Sequence, residues 1–366
     1  MKNVSVIGIG KLGLCFSLTL EKAGFNVVGV DVNKDYVESL NNKTFTSSEP
    51  SVDEYLQNSS NFIATTSLRE AVNHSDMLFV VVATPSLKNG RYDHRQVDSL
   101  INSIEMLGTS SARKHFVVCC TTMPGYCDSI KERMLALNYE VSYNPEFIAQ
   151  GTIIKNQAQP DMVLIGESSV EAGDLLEEIY IKHTTNDPRI CRMTPTEAEI
   201  TKIALNCFLT TKIAYANMVG DIVKSSGGDP DVVLNAIGQD TRIGNKYLGY
   251  GYGYGGPCFP RDNRALAIYA KDIDIEALIS IASDESNSKH LDYQIRDYVE
   301  NNDKSTEVVF DYVTYKPEST LLVESQQLAF AVGIANEGFK VKVRERKEVV
   351  NQLKEKYGNL FEYEER

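Results

Sequence analysis

Val4-Ser5-Val6-Ile7-Gly8-Ile9-Gly10-Lys11-Leu12-Gly13-Leu14 decides how this 366-residue chain begins to fold. Residues 4–7 are an apolar run of strand length. An apolar helical pattern through Leu14, Phe16, Leu18, Leu20 and Ala23 follows, and Gly24 ends it. Val27-Val28-Gly29-Val30 reads as a second strand, with Asp31 at its end, 18 positions after Gly13. A bare G-x-G-x-x-G is a weak signal. Set between a strand and a helix, with an acid closing the next strand, it forms a complete dinucleotide-binding fingerprint. The alternative is a glycine turn in some other α/β domain. In the fingerprint, Gly8 makes the tight turn and Gly13 lets helix and strand pack. Gly10 admits a pyrophosphate to the helix N-terminus, beside Lys11 and Leu12, where unpaired N–H groups favour anions. Asp31 is placed to hold both ribose hydroxyls and to repel a 2′-phosphate, so NAD is expected over NADP.

The length suits two or three domains. The formal charge of −13, from 37 basic and 50 acidic residues, argues against nucleic acid or an anionic membrane as partner. Seven scattered cysteines with no C-x-x-C pair suit reduced thiols in a cytoplasm. The five histidines have no metal-like spacing, so no metal site is expected. No apolar run approaches the ~20 residues of a membrane span.

Strands are expected at residues 76–83, 115–120 and 141–143, ending at Thr84-Pro85, Thr121-Thr122-Met123-Pro124 and Asn144-Pro145-Glu146. In a parallel sheet such ends line a ligand crevice; singly, each is also an ordinary turn signal. From Thr194 the pattern turns helical, with a capped start at Thr196-Glu197-Ala198-Glu199. Lys202 and Asn206 share one face, four residues apart. Lys202 is there either as a snorkelling surface lysine or as one of two groups on a shared ligand. After Gly227-Gly228-Asp229-Pro230 comes Gly249-Tyr250-Gly251-Tyr252-Gly253-Tyr254-Gly255-Gly256-Pro257-Cys258-Phe259-Pro260-Arg261-Asp262. This loop allows close backbone approach to a ligand and offers phenolic hydroxyls, a thiol and a carboxylate. Alone, it is either a nucleophilic-cysteine site or an inert thiol. Beyond residue 303, strands at 308–310 and 340–343 and helices at 322–337 and 347–356 form a small α/β unit. The expected division is an NAD-binding Rossmann-type domain over 1–193, a central helical region over 194–302, and a short, partial Rossmann-like domain over 303–366.

Taken in order, these motifs resemble the UDP-glucose/GDP-mannose dehydrogenase family over nearly the whole chain, most strongly from 1 to 270. The matching segments are the glycine fingerprint, Ala83-Thr84-Pro85, Thr121-Thr122-Met123-Pro124, Asn144-Pro145-Glu146-Phe147, Ala198-Glu199-Ile200-Thr201-Lys202 with Asn206, Asp240-Thr241-Arg242-Ile243-Gly244, and residues 255–262. The resemblance implies oxidation of a sugar C6 alcohol to a carboxylate with two NAD reduced, with UDP-glucose as the leading substrate; the N-P-E-F form is more similar to enzymes acting on UDP-glucose than to those acting on UDP-N-acetylmannosamine. GDP-mannose, a UDP-N-acetylhexosamine, or a degenerate homologue that binds without efficient turnover are the alternatives. It implies Cys258 as the nucleophile, Lys202 and Asn206 as oxyanion stabilisers, Asp262 with a Thr122-held water in proton removal, and Glu146 as activator of the hydrolytic water. Thr84, Pro85, Thr122 and Arg261 join the cofactor site. Phe147, Tyr247, Tyr250, Tyr252, Gly255 and Lys316 join the substrate site, with Arg242 reaching across a homodimer interface. The chain departs from the family pattern at Gln150, at Met162, and at residues 320–325, where an arginine is replaced by Val323. The last change removes a cation expected near the nucleotide, for which Lys316, Lys340 or Lys342 are the possible substitutes.

Overall fold

The computed structural model describes residues 2–317 and 319–366. They form two compact units, residues 1–202 and 203–366. The first boundary expected from sequence, at 193/194, precedes the long helix Pro195–Ser225. Contacts instead group the opening of that helix with the first unit, and residues 203–302 with the small C-terminal sheet.

The first unit is built on eight strands: β1 (Asn3–Ile7), β2 (Asn26–Val30), β3 (Phe62–Thr65), β4 (Met77–Val80), β5 (Lys114–Val118), β6 (Tyr139–Tyr143), β7 (Met162–Gly166) and β8 (Arg189–Met193). Their order is β3-β2-β1-β4-β5-β6-β7-β8. The pairings from β3 through β6 are parallel, and β7 joins antiparallel through Tyr143 opposite Gly166. This is the doubly wound order, with its reversal point between β1 and β4. Alternate residues of each strand enter different cores, one on each face. Val27, Phe79 and Val117 pack into one core with the helix Lys11–Lys22. Val28, Leu78, Val80, Phe116 and Val118 pack into the other with the helix Arg95–Leu107. Both faces are covered, which explains why these strands read as continuous apolar runs.

The second unit contains the rest of the long helix, the helices Pro230–Gly238, Phe259–Asp272 and Leu278–Asn301, and a three-stranded parallel sheet. Its strands are β9 (Glu307–Phe310), β10 (Lys340–Glu345) and β11 (Glu362–Glu365), with β10 central. Val341, Val343, Leu353, Phe361 and Phe330 form its core. Strand β11 arises where the sequence shows only an acidic tail; it is held by pairing with β10 rather than by apolar alternation. Among the described residues no helix is long and apolar enough to cross a membrane.

Candidate active site

In the first unit the glycine fingerprint forms a cradle at the carboxyl end of β1. Gly8 has φ of 92°, and a Cβ there would lie 2.8 Å from the Val81 carbonyl oxygen. A Cβ at Gly13 would overlap the Gly8 carbonyl oxygen, whereas Gly10 has nothing within 4 Å. The loop is therefore closed on the protein side and open at Gly10. That residue caps the helix Lys11–Lys22 without a side-chain hydrogen bond, so the first-turn N–H groups are left for an anion. The Lys11 ammonium meets Ser48 at 3.4 Å, and Leu12 packs on the core. Asp31 sits at the end of β2, one carboxylate oxygen accepting from Asn33 N at 3.0 Å. Thr84 donates to the Thr121 carbonyl at 2.7 Å, tying the ends of β4 and β5, with Pro85 exposed beside it. These residues fit a dinucleotide cradle, open at Gly10 and carrying the Asp31 carboxylate at the end of β2.

Farther along the same sheet edge lie Glu146 and Phe147, after β6. Lys202 donates to the Glu146 carbonyl oxygen, and its ammonium lies 4.3 Å from the centre of the Phe147 ring. Lys202 therefore points inward rather than snorkelling. Burial pushes the Glu146 carboxyl up to about 7, opposed by Lys202 and the Tyr180 hydroxyl.

The residue that sequence reasoning missed is Glu199. It is 0% exposed and accepts from the Thr122 hydroxyl at 2.9 Å, Gly125 N at 2.6 Å and Cys127 N at 3.0 Å. Its carboxylate thus satisfies the turn after β5 and the start of the helix Tyr126–Leu135. Two expectations change with it. The long helix is capped by Thr194 and Glu197, whose carboxylate accepts from Thr194 N and Oγ1, while Glu199 faces inward. Thr122 is wholly buried and its hydroxyl proton is given to Glu199, so it holds the turn in place and is not a solvent-facing water ligand.

In the second unit, Cys258 is the exposed cysteine and the N-cap of the 14-residue helix Phe259–Asp272. Cys258 therefore stands at the positive end of the helix dipole, which favours negative charge. Asp262, one turn on and 1% exposed, accepts from the Asn206 amide at 2.6 Å, with Arg261 Nε 3.5 Å from its other oxygen. The sequence motif accordingly becomes a thiol, a carboxylate and an amide within one unit.

The glycine–tyrosine loop is anchored by its own side chains. Tyr250 donates to Asp221 at 2.9 Å and Tyr254 to Asp284 at 3.3 Å. The amide of Asn287 donates to Tyr254 O at 3.0 Å. The buried His290 ring meets Asp221 through Nδ1 at 2.9 Å and the Gly251 carbonyl through Nε2 at 2.6 Å. Tyr250 is therefore a loop anchor rather than a free phenolic donor, correcting its assignment to the substrate. Tyr247, with φ of 62°, and Tyr252 remain exposed. Gly255 has no room for a side chain, because a Cβ would overlap the Glu324 carbonyl. Gly256 N donates to the Val323 carbonyl at 3.2 Å, and Glu324 pairs with Arg264 at 2.7 Å. The segment that departs from the family pattern thus buttresses the cysteine loop. Lys342 is held between Glu307 and Glu362, which removes it as a substitute for the missing arginine; Lys316 lies 5.5 Å from the Tyr315 ring centre. Arg242 is 86% exposed and pairs with Asp240 on the same turn.

Residues 2–184 match the model of the NAD-binding domain of the UDP-glucose/GDP-mannose dehydrogenase family, and residues 196–289 match that of its central domain. A GDP-mannose 6-dehydrogenase from Pseudomonas aeruginosa is 29% identical over 94% of this chain and 81% of its own length. A UDP-glucose 6-dehydrogenase from Haloferax volcanii is 32% identical over 74% of this chain and 65% of its own. The solved structure of a UDP-glucose dehydrogenase from Pyrobaculum islandicum superposes with a TM-score of 0.87 at 29% identity, covering 99% of this chain and 86% of that one. The fold, the NAD cradle and the ordered motifs agree with these matches: the chain belongs to the UDP-glucose/GDP-mannose dehydrogenase family, and its cofactor is NAD.

Proposed function

We propose that this protein oxidises the C6 alcohol of a nucleotide sugar to the carboxylate, with UDP-glucose to UDP-glucuronate as the leading reaction. The observation that carries the reading is Cys258 at a helix N-terminus, one turn from Asp262 and its Asn206 partner. NAD, when bound, supplies the acceptor for the hydride that leaves C6 in each of two oxidations. Asp262 accepts the C6 hydroxyl proton, while the Lys202 ammonium and Asn206 amide stabilise the developing oxyanion. The Cys258 thiolate then adds to the aldehyde carbon; the carbonyl oxygen takes a proton and a thiohemiacetal forms. Loss of the second hydride and of the hydroxyl proton leaves a thioester. Glu146 removes a proton from water, whose oxygen adds to the thioester carbon, and the Cys258 thiolate leaves with the acid released.

GDP-mannose is the second reading, favoured by the 29% identity to a GDP-mannose 6-dehydrogenase over 94% of the chain. The test is NADH formation by the purified protein with UDP-glucose, GDP-mannose and UDP-N-acetylhexosamines. UDP-glucose should give the highest kcat/KM. GDP-mannose winning would select the second reading, and no turnover with any of them would indicate a binding homologue.

A homodimer accompanies this proposal. Phe208, Tyr215 and Ile222 are exposed at seven-residue intervals along the long helix, with Met218 beside them. Such a stripe suits helix packing against a second copy, with Arg242 reaching the neighbouring site. Phe208→Lys with Ile222→Lys should yield monomers in sedimentation velocity. A cytoplasmic location is part of the same proposal, resting on the scattered cysteines and the lack of a C-x-x-C pair in the sequence.

A further inference from the structure

A cavity of about 10 Å³ lies in the first unit beneath Glu146. Its apolar wall includes Met162 and Val163, and its polar wall includes Asn144, Glu146, Gln157 and Tyr180. Gln157 belongs to the short helix Ile153–Ala158 and is 2% exposed. Neither its amide nitrogen nor its amide oxygen has a hydrogen-bond partner among the described residues, and the same is true of the buried Oε1 of Glu146. The other polar groups there are engaged. Tyr180 donates to Asn144 Oδ1 at 2.7 Å, and the Asn144 amide donates to the Leu164 carbonyl at 2.9 Å.

Three buried polar atoms without protein partners carry a desolvation cost unless something satisfies them. A polar cavity of about 10–15 Å³ holds one water, which needs two to four partners. An apolar residue at 157 would carry no such cost, so a glutamine there is explained by what it binds. We propose that Gln157 is a positioning residue: together with Glu146 Oε1 it holds one internal water that orients the Glu146 carboxyl and supports its ionised form. The water donates one hydrogen bond to the carboxylate and another to the Gln157 amide oxygen. The ionisable groups facing Glu146 are Lys202 from the long helix, Tyr180 from the helix Val170–His183, and Cys119 after β5. The Cys119 thiol is pushed well up by burial and stays neutral, so Lys202 is the fixed charge and the water is the adjustable partner.

The functional consequence rests on Glu146 serving thioester hydrolysis; the water site itself does not. Two measurements on the full-length protein test it. A high-resolution crystal structure should place a water within hydrogen-bonding distance of both Glu146 Oε1 and the Gln157 side chain; a dry cavity overturns the proposal. Infrared difference spectroscopy across a pH titration should follow the Glu146 carboxyl, assigned by the band that Glu146→Gln removes. In Gln157→Leu, or in Gln157→Met if the leucine variant does not fold, the midpoint should rise by about one pH unit, because the ionised form loses a hydrogen bond. An unchanged midpoint at unchanged Tm contradicts the positioning role. If the midpoint rises but Glu146→Gln releases acid at the normal rate, the water site stands and the hydrolytic role of Glu146 fails.

Discussion

The two units each bury a carboxylate near the long helix, and they satisfy it in opposite ways. Asp262, in the second unit, receives the Asn206 amide and lies beside Arg261. Glu146, in the first, has its inner oxygen without a protein partner and its carboxyl pushed up to about 7. The Asn206 amide holds Asp262 in place as the base of the proposed alcohol oxidation, whereas a carboxylate whose ionised form is only weakly supported is poised to exchange a proton near neutral pH. Glu199 adds a structural extreme, a buried carboxylate with three donors and no access to solvent. Environment rather than residue type assigns the three roles.

The largest effect expected separates the units altogether. Cys258→Ser should lower acid formation by roughly 10⁴-fold or more, on the scale of losing a covalent nucleophile, while NAD affinity by titration calorimetry stays unchanged. Near-normal turnover would remove the nucleophile from the second unit. The next effect tests the poised carboxylate. Glu146→Gln should slow acid release by about 10²–10⁴-fold and accumulate a thioester visible by mass spectrometry, whereas Gln150→Glu should change the rate only modestly. The sign of the pH dependence follows from the raised carboxyl. Below about 7 Glu146 is protonated and cannot act as a base, so single-turnover acid release should rise with pH through about 7. A flat profile from pH 5 to 8 would contradict the comparison.

Smaller effects test the bonded end of the comparison. Glu199→Gln should destabilise the protein by about 1.5–3 kcal/mol, the worth of a charged hydrogen bond, measured by urea unfolding; no loss would mean the turn after β5 holds without it. Asp31→Ser should weaken NAD binding about 10-fold and narrow its advantage over NADP in kcat/KM. An unchanged cofactor ratio would remove Asp31 from the ribose.

The sequence made the cofactor cradle legible because its logic is local. Gly8, Gly10, Gly13 and Asp31 announce a turn, a close approach and a strand end within a span of 24 residues. Cys258 and Asp262 were legible for the same reason, being one helical turn apart. Glu199 was not, because its donors come from residues 122–127 and only the closed sheet edge brings them together. Gln157 was hidden likewise: a glutamine on a six-residue helix carries no sign that it is buried. Tyr250 was misread because a glycine-rich loop suggests exposed hydroxyls, while Asp221 and His290, distant in sequence, anchor it. Strand β7 escaped notice because residues 162–166 follow a proline-broken segment and pair antiparallel to β6 at a single position.

The central claim, a four-electron oxidation through Cys258, is tested most directly by stoichiometry. Purified protein, excess NAD and limiting UDP-glucose should yield two NADH for each UDP-glucose consumed, with UDP-glucuronate as the product and no free aldehyde trapped by a hydrazine. One NADH with a trapped aldehyde, or none with UDP-glucose and with GDP-mannose alike, would contradict it.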